Sequence, residues 1–285
     1  MKRILLYLSL ISPILSSHAL ETEGFQPDES FVYKTVGETK LKLHVFYPEN
    51  HNPSGQRPAI VFFFGGGWVS GSPSQFYPHC EYLASRGMVA MSAEYRVRSR
   101  HQTTPQECVK DGKSAVRWIK QHADKLGVDP ERVLAGGGSA GGHVAAATGT
   151  VEGFEEEGEE LAVSSRPEAL LLFNPVYDNG PNGCGHERVK DYWEAISPMH
   201  NISEGTPPTL VFFGTRDKLV PVATAKAYQE RMEALGLRSD LHLYQDEPHG
   251  FFNHGRKYHD DTIQKMDQFL VSLDYLEPQP YAKSN

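Results

Sequence analysis

One glycine-rich stretch of the chain carries a serine at its centre: Gly136-Gly137-Gly138-Ser139-Ala140-Gly141-Gly142. An apolar segment precedes it, and a run of small residues with helical character follows. The residues from Gly137 to Gly141 match G-x-S-x-G, in which a strand turns sharply into a helix at a serine. Glycine on either side removes the side chains that would collide with such a turn. We therefore predict that Ser139 projects its hydroxyl above a sheet, at a helix N-terminus whose dipole favours negative charge.

The same glycines permit two other interpretations. Gly136, Gly138 and Gly141 match G-x-G-x-x-G, a dinucleotide-binding pattern that needs a strand ending in an acidic residue about twenty positions further on. That distance falls in the acidic run Glu155–Glu160, which is typical of a solvated loop. A phosphate-binding loop would need a lysine after the glycines, and none follows. The strand-to-helix turn is the interpretation that agrees with both flanking segments.

Apolar segments alternate with helical patterns along most of the chain. Continuous apolar runs such as Ala59–Phe64 predict strands buried on both faces, and apolar residues at helical spacing predict helices between them. We therefore predict an α/β fold with a mainly parallel central sheet and helices on both faces. One main domain is predicted over residues 31–275, with a small lid insertion at 178–202. A leader at 20–30 precedes this domain and a tail at 276–285 follows it.

A nucleophilic serine needs a base, and the base needs an acid that orients it. In this architecture the acid and then the histidine follow the serine, each on the loop after a later strand. Asp217 follows the predicted strand Thr209–Phe213, and His249 follows the predicted strand Ser239–Tyr244. Because the carboxyl ends of parallel strands lie along one edge of a sheet, we expect Ser139, Asp217 and His249 to meet there.

A second glycine run, Gly65-Gly66-Gly67, comes directly after a predicted buried strand. Backbone N–H groups without side chains can approach a substrate oxygen closely, as can the N–H that follows a nucleophilic serine. The glycine run and the N–H of Ala140 are therefore predicted to form an oxyanion hole, and a turn chosen only for flexibility is the alternative. Four aromatic residues near these loops are predicted to narrow the substrate pocket: Trp68, Tyr95, Tyr177 and Phe251.

Composition limits the partners of the protein. Its 285 residues include 28 Lys and Arg against 36 Asp and Glu, which gives a formal net charge of −8. Nucleic-acid phosphates are bound by clustered cations, so no nucleic-acid partner is predicted. The only long apolar run lies at the N-terminus, so stable membrane insertion is not predicted. The cysteines lack metal-site spacing, and neither a metal nor an organic cofactor is predicted.

The N-terminus has the pattern of a secretory signal peptide. Lys2 and Arg3 precede an apolar run, and two small residues separated by one position, Ser17 and Ala19, close the segment. The pattern predicts a signal peptide over residues 1–19 and a secreted or periplasmic protein. An exported protein can form disulfides, but an odd cysteine count leaves at least one thiol free or paired between chains.

The order of glycine run, serine turn, acid and histidine resembles the α/β-hydrolase superfamily, and within it the hormone-sensitive-lipase-like esterases. The resemblance covers about residues 31–275 and implies an α/β-hydrolase fold with Gly66, Gly67 and Ala140 as the oxyanion donors. The family usually has a histidine before the three glycines, whereas this chain has Phe64.

A serine hydrolase of carboxylic esters, acting through an acyl-enzyme, is the predicted function. Ser139 is the predicted nucleophile, His249 the base and Asp217 the orienting acid. Secreted bacterial members with similar segments imply deacylation of a polysaccharide, as in acetyl xylan or feruloyl esterases. The four aromatic residues, by narrowing the pocket, favour acetyl or another short acyl group. Two alternatives stay open, which are a serine peptidase or amidase on the same core and a non-catalytic binding module derived from a hydrolase.

Overall fold

The computed structural model describes residues 24–279, so the predicted signal peptide lies outside the described residues. In this range eight strands form one sheet. In chain order the strands are β1 (Glu29–Val36), β2 (Thr39–Phe46), β3 (Arg57–Phe63), β4 (Val89–Ala93), β5 (Val128–Gly138), β6 (Leu170–Phe173), β7 (Thr209–Gly214) and β8 (Ser239–Tyr244). Their order across the sheet is β1-β2-β4-β3-β5-β6-β7-β8.

Strand direction divides the sheet into two parts. β1 pairs antiparallel with β2, and β2 pairs antiparallel with β4. From β4 across to β8 every neighbouring pair is parallel. The prediction of a mainly parallel sheet is confirmed, and the carboxyl ends of five neighbouring parallel strands (β3, β5, β6, β7 and β8) lie along one edge.

Helices cover both faces of this sheet, as predicted. In chain order they are α1 (Tyr77–Ser85), α2 (Arg98–His101), α3 (Pro105–Gln121), α4 (Ala123–Leu126), α5 (Ala140–Thr150), α6 (Trp193–Ile196), α7 (Val222–Ala234) and α8 (His259–Ser272). Apolar side chains of α3, α5 and α7 pack in one buried cluster, and those of α1 and α8 pack in another. None of the helices within residues 24–279 is long and apolar enough to cross a bilayer.

Strand β3 shows why a continuous apolar run forms the centre of the sheet. Successive side chains of a strand point to opposite faces. Val61 and Phe63 therefore join the cluster of α3, α5 and α7, whereas Ile60 and Phe62 join the cluster of α1 and α8. All four side chains are fully buried, so no position in the run tolerates a polar residue without loss of packing.

The predicted lid insertion, residues 178–202, follows β6 and contains little regular structure. The sequence predicts one helical piece over 189–196, whereas the structure has the single turn α6 between two 3₁₀ turns, His186–Arg188 and Pro198–His200. Its apolar side chains pack in a small buried cluster against α3 and α5.

The acidic run Glu155–Glu160 is not simply the solvated loop that its composition suggests. Glu155 forms salt bridges with Lys113 at 2.8 Å and with Arg117 at 2.7 Å, and Arg117 also pairs with Glu159. The two cations project from α3, and their side chains are at most 4% exposed. Buried cations need anionic partners, and the run supplies them.

Asp111 on α3 is the centre of a second ionic cluster. Its fully buried carboxylate accepts hydrogen bonds from the backbone N–H of Arg96 at 2.8 Å and from the Arg96 guanidinium at 2.7 Å. Lys34 of β1 lies 2.7 Å from the same carboxylate. Glu156 completes the cluster, because its carboxylate lies 2.7 Å from Lys34 and 2.8 Å from Arg96.

Replacing Asp111 by alanine is expected to lower the free energy of unfolding by about 3–5 kcal/mol. Lys34 and Arg96 would then stay buried with Glu156 as their one shared carboxylate. Urea unfolding followed by circular dichroism measures the change. Asp191→Ala removes an exposed carboxylate and serves as the control, with an expected change within about 0.5 kcal/mol. Equal stability of the two variants would contradict the interpretation of the cluster as a structural anchor.

Candidate active site

Ser139 occupies the turn between β5 and α5 with strained backbone angles, φ 54° and ψ −120°. The neighbouring glycines are required by close backbone contacts. A Cβ at Gly137 would lie 2.4 Å from the carbonyl oxygen of Gly141, and a Cβ at Gly141 would lie 2.0 Å from that of Phe63. The turn therefore has the geometry that the G-x-S-x-G pattern predicts, and it holds the serine in a conformation that non-glycine residues rarely adopt.

Asp217 and His249 meet on the loops that follow β7 and β8. Nδ1 of His249 lies 2.7 Å from Oδ2 of Asp217, whose side chain is fully buried. The Asp217 carboxylate also accepts hydrogen bonds from the N–H groups of Leu219 at 2.8 Å and Val220 at 3.0 Å. Burial by itself would raise the pKa of Asp217, but the hydrogen bonds from His249 and Val220 outweigh it, and the pKa is lowered. An ionised Asp217 fixes the proton of His249 on Nδ1 and leaves Nε2 as the basic atom.

One cavity of 420 Å³ brings most of the predicted site residues together. Ser139, His249 and the glycine run at 65–67 all line it. Asp217 does not line this cavity but supports His249 from behind. Three loops that are far apart in the sequence therefore converge at the carboxyl edge of the sheet.

The glycine run has the backbone conformation of a tight loop over the cavity. Gly66 has φ 129°, and a Cβ there would lie 2.1 Å from the carbonyl oxygen of Ser70. Among the residues that the structure describes, none accepts a hydrogen bond from the N–H of Gly66, Gly67 or Ala140. Gly66 and Gly67 line the cavity, so their N–H groups are available to an oxygen atom bound there. Ala140 is fully buried beside Ser139 and is absent from the cavity lining.

The hormone-sensitive-lipase-like esterases usually have a histidine directly before the three glycines. In this chain the side chains of Tyr95 and Gln75 hold the glycine run instead. The Tyr95 hydroxyl donates a hydrogen bond to the carbonyl oxygen of Phe64 at 2.6 Å, and the two rings stack with centroids 4.2 Å apart. Gln75 accepts a hydrogen bond from the N–H of Gly65 at 2.6 Å. Tyr95 is thus a support beneath the loop.

The four predicted aromatic residues are placed differently from one another. Trp68 lines the cavity, whereas Tyr95, Tyr177 and Phe251 are absent from its lining. Tyr177 is fully buried and stacks on Tyr228 at 3.9 Å, and Phe251 packs against Tyr244 at 4.6 Å. These large rings contribute to the core beside the site, and the structure does not bring them to the cavity.

Several polar and apolar side chains that sequence patterns did not single out complete the cavity lining: Gln75, Asn174, Val176, Val220, Phe252 and Asn253. Asn174 directly follows β6 at the carboxyl edge of the sheet, so the rule that locates Asp217 and His249 could also have indicated it. Its Nδ2 lies 3.4 Å from Nε2 of His249, and its Oδ1 accepts a hydrogen bond from the N–H of Gly250 at 2.9 Å.

A chain of amide groups connects the glycine run to the histidine loop. Nε2 of Gln75 donates a hydrogen bond to Oδ1 of Asn253 at 2.9 Å, and Nδ2 of Asn253 donates to the carbonyl oxygen of Gly250 at 2.9 Å. Gln75 bonds Gly65 at its other end, so a single side chain joins the two loops. We therefore expect the position of the glycine run relative to His249 to depend on this bridge.

The predicted lid insertion borders the cavity on one side. Arg188 donates a hydrogen bond to the carbonyl oxygen of Gly67, and its guanidinium lies 5.9 Å from the centre of the Trp68 ring. His143 on α5 is close to Ile196 of the insertion, with Nε2 3.1 Å from the Ile196 carbonyl oxygen. Burial lowers the pKa of His143 to about 4, so this histidine is neutral and structural at ordinary pH.

Known proteins similar to this chain include esterases of solved structure. Residues 43–174 match the family model BD-FAE, and residues 187–278 match the dienelactone hydrolase family model. A solved structure of Thermogutta terrifontis esterase 2, phosphoramylated by tabun, is 47% identical in sequence with a TM-score of 0.85. The match covers 88% of this chain and 96% of that chain.

Curated relatives are more distant in sequence. Esterase LipC of Mycobacterium tuberculosis is 31% identical over 219 residues, which are 70% of this chain and 54% of that protein. An acetylxylan esterase of Xylanibacter ruminicola is 28% identical over 269 residues, which are 87% of this chain and 52% of that protein. The chain spans about half the length of these curated relatives.

Replacing Gln75 by methionine keeps the side-chain volume but removes both hydrogen bonds of the bridge. We expect kcat for p-nitrophenyl acetate to fall about tenfold to a hundredfold with a smaller change in KM, because misplaced groups cost rate more than binding. Gln121→Met, at an exposed position on α3, is the matched control and should retain wild-type kinetics. A Gln75 variant with wild-type kcat would show that the bridge does not position the loops.

Proposed function

The chain belongs to the α/β-hydrolase esterases, and from this membership we propose that it hydrolyses carboxylic esters with Ser139 as the nucleophile. The observation that carries the proposal is the contact of 2.7 Å between His249 and a fully buried Asp217, beside a cavity that Ser139 also lines. This arrangement supports Ser139 as the nucleophile, His249 as the base and Asp217 as the acid that orients the base.

In the first half of the proposed reaction, Ser139 attacks the ester carbonyl. Nε2 of His249 takes the proton from the serine hydroxyl as the oxygen bonds to carbon. Asp217 keeps the proton on Nδ1 and stabilises the imidazolium that forms, because its lowered pKa keeps the carboxylate ionised.

Negative charge develops on the former carbonyl oxygen during this attack. The N–H groups of Gly66, Gly67 and Ala140 are proposed to donate hydrogen bonds to that oxygen. Each such donor lowers the barrier by about 2.7–4 kcal/mol in serine hydrolases. Ala140 is the first residue of α5, so the helix dipole adds to the same field.

Collapse of the tetrahedral intermediate expels the alcohol, which takes its proton from the His249 imidazolium. The acyl group stays on the Ser139 oxygen as an ester. Water then gives a proton to His249 and attacks this acyl-enzyme through the same oxyanion site, which releases the carboxylic acid and restores the serine hydroxyl.

A short acyl group is the proposed acid half of the substrate. The cavity has a volume of 420 Å³ and is walled by Trp68, Val176 and Val220. Solved structures of Thermogutta terrifontis esterase 2, which is 45% and 44% identical, hold propionate and butyrate. Such acids are of the size that this cavity can accept.

A carbohydrate is the proposed alcohol half, and export from the cell is proposed with it. The similarity to an acetylxylan esterase at 28% identity supports a carbohydrate. The sequence pattern of a signal peptide supports export. Acetate release from acetylated xylan, measured with the Ser139→Ala protein as the blank, tests the carbohydrate assignment.

The serine mechanism predicts that a fluorophosphonate probe labels the wild-type protein and not Ser139→Ala. The same variant should lose ester hydrolysis by about 10⁶-fold, because neither the base nor the oxyanion donors can replace the nucleophile. Labelling is read by intact-protein mass spectrometry. Ser99→Ala, at an exposed serine, is the control and should label like wild type. A wild-type protein that takes no label and hydrolyses no ester would favour the binding-module alternative.

The size of the cavity predicts a preference for short acyl chains. Against a series from p-nitrophenyl acetate to the decanoate, we expect kcat/KM to be highest at two to four carbons and to fall steeply for longer chains. Trp68→Ala removes a large side chain from the lining and so enlarges the cavity, which should move the highest kcat/KM to longer acyl chains. A wild-type preference for the decanoate would contradict the short-acyl assignment without affecting the serine mechanism.

A further inference from the structure

A second cavity adjoins the first at the histidine loop. It has a volume of 460 Å³ and shares Leu219 and His249 with the first cavity. Neither Ser139 nor the glycine run lines it. Its remaining lining residues come from the loops after β7 and β8: Arg216, Lys218, Asp246 and Pro248.

The charge of this second cavity is opposite to that of the whole chain. Arg216 and Lys218 are exposed, and neither forms a salt bridge with any residue between positions 24 and 279. Asp246 is the one carboxylate in the lining, so the cavity carries an excess of positive charge in a chain of formal charge −8. The local sign of charge at a cleft determines which ligands are attracted there.

The position of His249 indicates which half of an ester this cavity would receive. In the proposed reaction His249 protonates the leaving alcohol, so the alcohol half lies beside the imidazole. A cavity that is lined by His249, and by neither the nucleophile nor the glycine run, adjoins the residue from which the leaving alcohol takes its proton. The acyl half is held instead by the cavity that contains Ser139.

We propose that the second cavity is the subsite for the alcohol half of the substrate and that Arg216 and Lys218 select alcohols carrying a carboxylate, such as a uronic acid that is acylated on one of its hydroxyl groups. This inference rests on the proposed ester hydrolysis. A guanidinium and an ammonium group both bind carboxylates through charge-assisted hydrogen bonds. Leu219, 63% exposed at the boundary of the two cavities, supplies an apolar contact for the body of the alcohol.

Two esters that differ only in charge on the alcohol half test the proposal. The acetyl ester of 4-hydroxybenzoate carries a carboxylate, and the acetyl ester of methyl 4-hydroxybenzoate is neutral. The measured quantity is the ratio of kcat/KM for the anionic ester to kcat/KM for the neutral ester. Comparing this ratio between protein variants cancels the different intrinsic reactivity of the two esters.

We expect the double variant Arg216→Gln/Lys218→Gln to lower this ratio about threefold to tenfold, the size expected of exposed charge pairs. Raising the salt concentration should lower the wild-type ratio in the same way, because exposed charges are screened. Asp246→Asn should raise the ratio, since it removes the opposing carboxylate. Asp246 has φ 62°, a conformation that asparagine also adopts readily.

Lys40→Gln/Lys42→Gln is the matched control, because it removes two exposed positive charges from β2 at the other end of the sheet. Its ratio should equal that of wild type. Changes of opposite sign in the Arg216/Lys218 and Asp246 variants would support the subsite, because a general structural disturbance would not produce them. Hydrolysis of both esters with an unchanged ratio in all variants would overturn the subsite alone. Failure of the wild-type protein to hydrolyse either ester would overturn the proposed function itself.

Discussion

The close approach of α5 to the end of β3 is the contact on which the rest of the site depends. A Cβ at Gly141 would lie 2.0 Å from the carbonyl oxygen of Phe63 and 2.3 Å from that of Phe64, so only glycine permits it. This approach places the N-terminus of α5 directly beside the loop that β3 leads into. Ser139 and the glycine run at 65–67 thereby line one cavity. The strained φ of Ser139, 54°, is held by the surrounding structure.

The parallel direction of the strands then determines where Asp217 and His249 lie. β7 and β8 lie to one side of β5 and run parallel to it, so the loops after them end at the same edge. Asp217 needs only the backbone N–H groups of its own loop and His249 to be fully satisfied when buried. A buried carboxylate held in this way is ionised and rigid, which are the two properties that an orienting acid requires.

Sequence patterns located the residues whose positions follow from local rules. The serine turn directly follows β5, and Asp217 and His249 lie within five residues of the ends of β7 and β8, so periodicity and chain order were sufficient to place them. The Gln75–Asn253 bridge could not be found in this way, because it joins side chains 178 residues apart and neither belongs to a motif. The sequence analysis also missed the buried contact of Tyr95 with Phe64 and the salt bridge of Glu155 with Lys113 on α3. Both partners are distant in the sequence, and local composition carries no information about them.

The ionic cluster around Asp111 and the glycine loop are connected through two consecutive residues after β4. Arg96 is held by Asp111 and Glu156, both of which it contacts within 2.8 Å. The preceding residue, Tyr95, donates its hydrogen bond to Phe64 at the base of the oxyanion loop. A buried salt bridge contributes little to stability by itself, because desolvation offsets its attraction, but it has few alternative geometries. The cluster therefore serves the site by fixing the backbone from which Tyr95 projects. The usual histidine before the glycines is absent from this chain, and the hydrogen bonds of Tyr95 and Gln75 hold the glycine run instead.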